Sequence, residues 1–186
     1  MTNKELKIAY TEYTAADQLE QVEQELVEAA IEATKTSYAP YSNFNVGAAV
    51  RLEDGQIVKG SNQENAAYPS GICAERTAMF YAGANYGDKA ITAIAVAASQ
   101  NGVLLASPVS PCGACRQVMA EYQKKGGRPI TIILVGADRT LRFSSVDALL
   151  PLIFDSIWTL RVHFFLQQIK KSVPLHPGKS YTTSSL

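Results

Sequence analysis

The chain has 186 residues, 47% of them hydrophobic and 18% charged, the balance of a soluble globular protein able to bury a substantial core. Seventeen Lys and Arg offset seventeen Asp and Glu, and this formal net charge of zero argues against a broad polyanion-binding surface. No apolar run reaches membrane-spanning length, the N-terminus lacks the apolar core of a signal peptide, and three cysteines do not make a secreted disulfide framework, so the expected setting is the cytoplasm.

Residues 1–13 show no clear period, although Leu6, Ile8 and Tyr10 alternate as a short strand or arm would. Thr14 with Asp17 three residues on has the form of a capping box. Leu19, Val22, Leu26, Ala30 and Ala33 then recur at spacings of three and four, which predicts a helix with one apolar stripe. Tyr38-Ala-Pro40 stops it. Residues 45–52 read as a strand, Asp54-Gly55 as a tight turn, and 56–60 as the returning strand. The small residues Gly47, Ala48 and Ala49 predict that something packs closely on the first of these strands. A polar loop fills 61–71, and a second helix is expected over 73–85 with Ala74, Ala78, Tyr81 and Ala82 at helical spacing.

Residues 91–98 are continuously apolar, as in a strand buried on both faces. Pro111 introduces a third helix over 112–125, closed by Gly126-Gly127 with lysines in its last turn. Another buried strand is expected at 130–135 and a short edge strand at 141–143, with Ser144 and Asp147 capping a last helix through Leu150. This order predicts an α/β domain whose sheet is covered on both faces and led by an antiparallel hairpin.

All three cysteines fall in two stretches, Cys73-Ala-Glu75 and Pro111-Cys112-Gly-Ala-Cys115. A Cys-x-x-Cys pair and a distant third Cys supply three thiolates at zinc-ligand spacing, and three protein ligands leave the fourth tetrahedral position for water, as in a catalytic zinc site. Glu75, two residues after the first thiolate, is placed to move protons without ligating the metal. Both stretches begin predicted helices, whose N-termini stabilise thiolates. Arg76 is the side chain that offsets the remaining negative charge through hydrogen bonds to ligand sulfur, with a plain surface arginine as the competing reading. A redox pair at Cys112 and Cys115 would leave Cys73 idle, and a structural zinc would need a fourth ligand such as His163, His176 or an Asp. Met79, Phe80 and Tyr81 are assigned to the core.

With Tyr41-Ser-Asn-Phe-Asn-Val-Gly-Ala-Ala, Asn62-Gln-Glu-Asn-Ala-Ala-Tyr-Pro-Ser-Gly-Ile-Cys-Ala-Glu-Arg76 and Ser110-Pro-Cys-Gly-Ala-Cys-Arg-Gln117, the sequence resembles the small, homotetrameric, zinc-dependent cytidine deaminases from about Ala16 through Phe154. The resemblance implies a three-layer α/β/α deaminase fold with a mixed sheet. It also implies zinc-dependent deamination of cytidine and 2′-deoxycytidine in pyrimidine salvage, with deamination of another nucleoside-like small molecule as the alternative. Carried over by position, Cys73, Cys112 and Cys115 would hold one Zn²⁺ per subunit and Glu75 would shuttle protons. Asn62 and Glu64 would bind the ribose, Phe44 would pack on the pyrimidine, and Tyr68 and Phe154 would reach neighbouring sites of a homotetramer. The partners implied are a nucleoside and further copies of the chain, with neither nucleic acid nor membrane. The deaminase domain is expected over 1–155. Residues 156–186, which include Ile157, Leu160, Phe164 and Phe165 at helical spacing and a Ser-, Thr-, Pro- and Lys-rich end expected to be disordered, have no counterpart in the family pattern.

Overall fold

In the computed structural model residues 2–155 are described, and the middle of the fold is a pair of long antiparallel strands, Asn45–Leu52 (β2) and Ile91–Gln100 (β4). In chain order the elements are Thr11–Tyr13 (β1), Gln21–Ala33 (α1), β2, Ile57–Ser61 (β3), Ala74–Asn85 (α2), β4, Val103–Leu104 (β5), Gly113–Gly126 (α3), Thr131–Val135 (β6) and Thr140–Phe143 (β7). They build one mixed sheet of order β1-β7-β6-β4-β2-β3, with β5 pairing a further part of β4. β4 and β6 run parallel because α3 carries the chain back across the sheet between them, whereas β2 and β3 are joined by a tight turn at Gly55, φ 90°.

Side-chain alternation along the strands divides the core in two. Ala49, Ala95, Ala97 and Ile133 face Leu26, Val27 and Ala30 of α1. Val50, Ile94 and Ile132 on the other face meet Ala78 and Met79 of α2 and Met119 of α3. The result is the expected three-layer α/β/α arrangement. The small residues of β2 are explained by α1: a Cβ on Gly47 would enter the Ala30 carbonyl oxygen and stand 2.5 Å from Thr34 N. Gly60 plays the same part for α2, since a Cβ there would strike Ala78 N and lie 2.8 Å from Ala74 O.

Several local expectations are corrected. The first helix starts at Gln21 and not at Thr14, because Ala16–Gln18 forms a 3₁₀ turn and Leu19 and Glu20 are extended. Gln24 Nε2 donates to the Asp17 and Leu19 carbonyls, and Thr14 N–H donates to Gln18 Oε1, so neither Thr14 nor Asp17 caps the helix. That rotates the stripe: Val22 is half exposed, Val27 is buried in its stead, and the buried Glu23 accepts from Arg142 Nε at 2.8 Å. Phe80 and Tyr81 are exposed rather than core, since α2 is buried along Ala74, Ala78 and Ala82 with Met79 beside them. β7 is not an edge strand, because Thr11 pairs with Arg142 and places β1 outside it. Ser145, not Ser144, caps the last turn, which is the 3₁₀ segment Val146–Ala148. β5, the apolar pair Val103–Leu104 beyond the polar turn that ends β4, has no counterpart among the expected elements. The chain divides into units Met1–Ile153 and Phe154–Leu186, and the extension expected over 156–186, with its apolar stripe and disordered end, lies outside the described residues.

Gly47→Ala should destabilise the fold by about 1–3 kcal/mol, because the atoms it meets are backbone and cannot swing aside. Urea denaturation checks this, with an unchanged midpoint as the contrary result.

Candidate active site

Two helix N-termini converge on one side of the sheet. Cys73 is the N-cap residue of α2 and Cys112 that of α3, both extended in backbone, and Cys115 lies one turn inside α3 on the same face as Cys112. Their sulfurs form the metal-ligating cluster among the described residues, all within 4.8 Å of one another. Cys73 Sγ is 3.9 Å from Cys112 Sγ, and Cys112 Sγ is 3.5 Å from Cys115 Sγ. Tetrahedral zinc with metal–sulfur bonds of about 2.3 Å would separate its sulfurs by about 3.8 Å, so the cluster has the dimensions that zinc requires.

Arg76, on the first turn of α2, donates from Nη2 to Cys73 Sγ at 3.6 Å, and its Nε is buried without a partner among the described residues. The hydrogen bond from the Cys115 thiol, with further help from Arg76 and Cys112, holds the Cys73 thiol down to about 5 against the opposing effect of burial. Cys115 is pushed up, first by the same hydrogen bond and then by burial. Glu75 is 4% exposed, and its carboxyl is raised, chiefly by burial and further by the charge on Cys73.

Beside the cluster opens a cavity of about 540 Å³ whose walls include Phe44, Asn62, Glu64, Tyr68, Cys73, Glu75, Arg76 and Cys112. Residues up to 68 positions apart in the chain, chosen from sequence, therefore share one chamber. Cys115 is buried behind it, and Phe154, the first residue of the second unit, is not among the described residues lining it.

Asn62 and Glu64 fix the wall that faces the cluster. Asn62 Oδ1 accepts from Ser37 Oγ at 2.6 Å and from Val46 N at 2.7 Å, while Nδ2 donates to Phe44 O at 2.9 Å. One Nδ2 hydrogen is left for a ligand. Glu64 Oε2 accepts from the Tyr41 and Ser42 N–H groups, and Oε1 accepts from Ser42 Oγ. These bonds, the Ser42 hydroxyl first, lower the Glu64 pKa and leave Oε1 with one unused acceptor site. Phe44 is presented by a turn in which Asn43 is left-handed, φ 52°, and donates from Nδ2 to Asn101 Oδ1 at 2.6 Å. Ser37, Ser42 and Asn101 were not singled out from sequence. A hydroxyl or amide that supports another residue's side chain has no spacing of its own.

The sequence model of the cytidine and deoxycytidylate deaminase zinc-binding region matches residues 20–126. The cytidine deaminase of Halalkalibacterium halodurans is 50% identical over 98 residues, covering 53% of this chain and 70% of that protein. That of Sporosarcina psychrophila is 43% identical over 128 residues, covering 69% and 88% respectively. Among solved structures, the cytidine deaminase of Burkholderia pseudomallei superposes with a TM-score of 0.58 at 42% identity, covering 70% of this chain and 97% of that one.

Metal analysis should find about one zinc per chain, and replacing any one of the three cysteines by Ala should remove most of it. Full zinc retention by the Cys112→Ala variant would show that the metal is held elsewhere.

Proposed function

The chain belongs to the cytidine and deoxycytidylate deaminase family, and from that premise we propose the assignment of each residue in its site. The protein is a zinc-dependent hydrolase that converts cytidine and 2′-deoxycytidine to uridine and 2′-deoxyuridine and releases ammonia. One observation carries the residue assignments: a buried carboxyl with a raised pKa, Glu75, shares a cavity wall with Cys73 and Cys112, two members of a three-sulfur cluster.

Cys73, Cys112 and Cys115 hold the zinc, which when bound supplies the Lewis acidity that makes water nucleophilic near neutral pH. Glu75 takes a proton from the attacking water and passes it to ring N3, which makes C4 electrophilic; it then takes the remaining proton of the hydroxyl added at C4 and delivers it to the amino group, which leaves as ammonia as the C4 carbonyl forms. Its raised pKa suits that exchange, because a carboxyl nearer neutrality both accepts and returns a proton readily. Arg76 draws charge from the Cys73 sulfur and so keeps the metal acidic. Phe44 offers an aromatic face to the pyrimidine. A sugar hydroxyl both accepts and donates, which matches the spare Nδ2 hydrogen of Asn62 and the spare acceptor of Glu64.

Tyr68, 80% exposed at the cavity wall, and Phe154 are assigned to contacts with neighbouring copies in a homotetramer. The free thiols of the site suit a reducing cytoplasm, and no helix among the described residues is long and apolar enough to cross a membrane. Residues 1–155 are assigned as the deaminase domain. A chain ending at Lys171 should accordingly keep its cytidine turnover, and loss of activity on removing only 172–186 would move that boundary.

Glu75→Ala should retain zinc and fold while kcat falls by about 10²–10⁴, measured as ammonia release alongside metal content. Substantial turnover in that variant would take Glu75 out of the reaction. Asn62→Ala should slow cytidine and deoxycytidine while sparing any weak turnover of free cytosine, which has no ribose. Including adenosine in the same assay separates cytidine deamination from action on another nucleoside.

A further inference from the structure

Cys112 is the exposed member of the cysteine cluster, whereas Cys115 is buried in the core and Cys73 is half-buried against Arg76. Its sulfur is therefore placed by the backbone that enters α3, and that backbone has few supports of its own. Leu105 N donates to Ala98 O, and Ala137 N and Asp138 N donate to the Leu105 and Ala106 carbonyls. Gly136 lets the following turn close in, for a Cβ there would lie 2.6 Å from Ala106 O and 2.7 Å from Pro108 N. Beyond that point, among the described residues, no backbone–backbone hydrogen bond holds 107–111. Yet Val109 and Ser110 of this stretch form part of the cavity wall.

One side chain takes over. Arg116 Nε donates to Pro111 O at 2.8 Å, Nη2 to Ser110 Oγ at 2.8 Å, and Nη1 to Leu149 O at 3.0 Å. Its own N–H donates to Cys112 O at 3.0 Å, the first backbone bond of α3. The guanidinium thus folds back over the helix start and ties the two residues before Cys112 to a segment beyond β7. Each of the three guanidinium nitrogens has one acceptor, and a planar fork spans them at once where a single ammonium cannot. Arg116 is not among the described residues that line the cavity.

We propose that Arg116 is a positioning residue that fixes the Ser110-Pro111-Cys112 stretch, and with it both the placement of the Cys112 ligand and the cavity wall at Ser110. This rests on the reading of the three cysteines as the zinc site. Groups that orient metal ligands from outside the ligand set typically govern metal retention by about tenfold to a hundredfold. Arg116 acts one bond further back, through the peptide before the ligand.

The test compares Arg116→Gln with Gln123→Leu on the full-length zinc-loaded chain. Gln123 lies on the same helix, and its Oε1 accepts from Ile130 N, Ser145 Oγ and Val146 N, so its loss weakens the fold away from the cysteines. Zinc release to a chromophoric chelator and kcat and KM for cytidine are measured at equal intervals below each variant's own melting midpoint. Arg116→Gln should release zinc about tenfold faster, with KM raised and kcat lowered, while Gln123→Leu melts lower yet releases zinc at the unaltered rate. Equal release from Arg116→Gln and the unaltered chain overturns the proposal, as does equally accelerated release from Gln123→Leu. Should Arg116→Gln not fold, Arg116→Lys, which keeps the stem and charge but cannot span three acceptors, faces the same criterion. An unaltered chain without zinc would instead refute the reading of the cysteines.

Discussion

Three sulfurs within 4.8 Å of one another repel once ionised, and the apolar core that packs on Cys115 and Cys73 does nothing to offset that charge. At about 4 Å and a near-surface dielectric, two unit charges oppose each other by about 4 kcal/mol, which exceeds what a helix cap or a buried methyl group contributes. Hydrogen bonding within the cluster divides the thiols: the bond from Cys115 holds the Cys73 pKa down, and the same bond together with burial pushes that of Cys115 up. A divalent cation would offset the charge of three thiolates, and the scaffold brings two helix N-termini and Arg76 to the same point.

It does so through close approach. α2 can sit low on the sheet because Gly60 has no side chain, and its buried edge is a line of alanines. α3 is the crossover between the parallel strands β4 and β6, so its N-terminus emerges on the same side of the sheet as that of α2. On the opposite face α1 is seated against Gly47, close to the start of β2 and the turn before it that carries Phe44. The cavity is thus walled by a loop before β2, a loop after β3 and the two helix starts.

What the sequence disclosed and what it hid follow one physical division. β2, α2 and α3 were readable because burial imposes a period, and their bounds moved by only a residue or so. The three cysteines and Glu75 could be proposed as a site because the chemistry assigned to them demands particular residue types at short spacing. Thr14 and Asp17 misled because a 3₁₀ turn competes for the same capping groups, and Gln24, a residue with no helix-start preference, settles the outcome. Phe80 and Tyr81 misled because hydrophobicity indicates a wish for burial and not which face of a helix receives it. Ser37, Asn101 and Arg116 were hidden because each acts on a partner remote in the chain, and only the folded register brings the pair together.

The pairing of Thr11 with Arg142 has a bearing on how the molecule is made. During synthesis β1 leaves the ribosome early and has no mate until nearly all of the described chain has followed. The cysteines of the cluster appear in the same staggered fashion, since Cys112 trails Cys73 by 39 residues, about 2–8 s at ordinary elongation rates. The first thiol must therefore wait, paired with neither sulfur nor sheet, while the nascent β2–β3 hairpin and α2 gather around it. The cysteine cluster cannot close before Cys115 has emerged, nor the sheet edge before Arg142, so a nascent chain that stalls between Cys73 and Cys112 would present a lone thiol and an unfinished sheet to the cell.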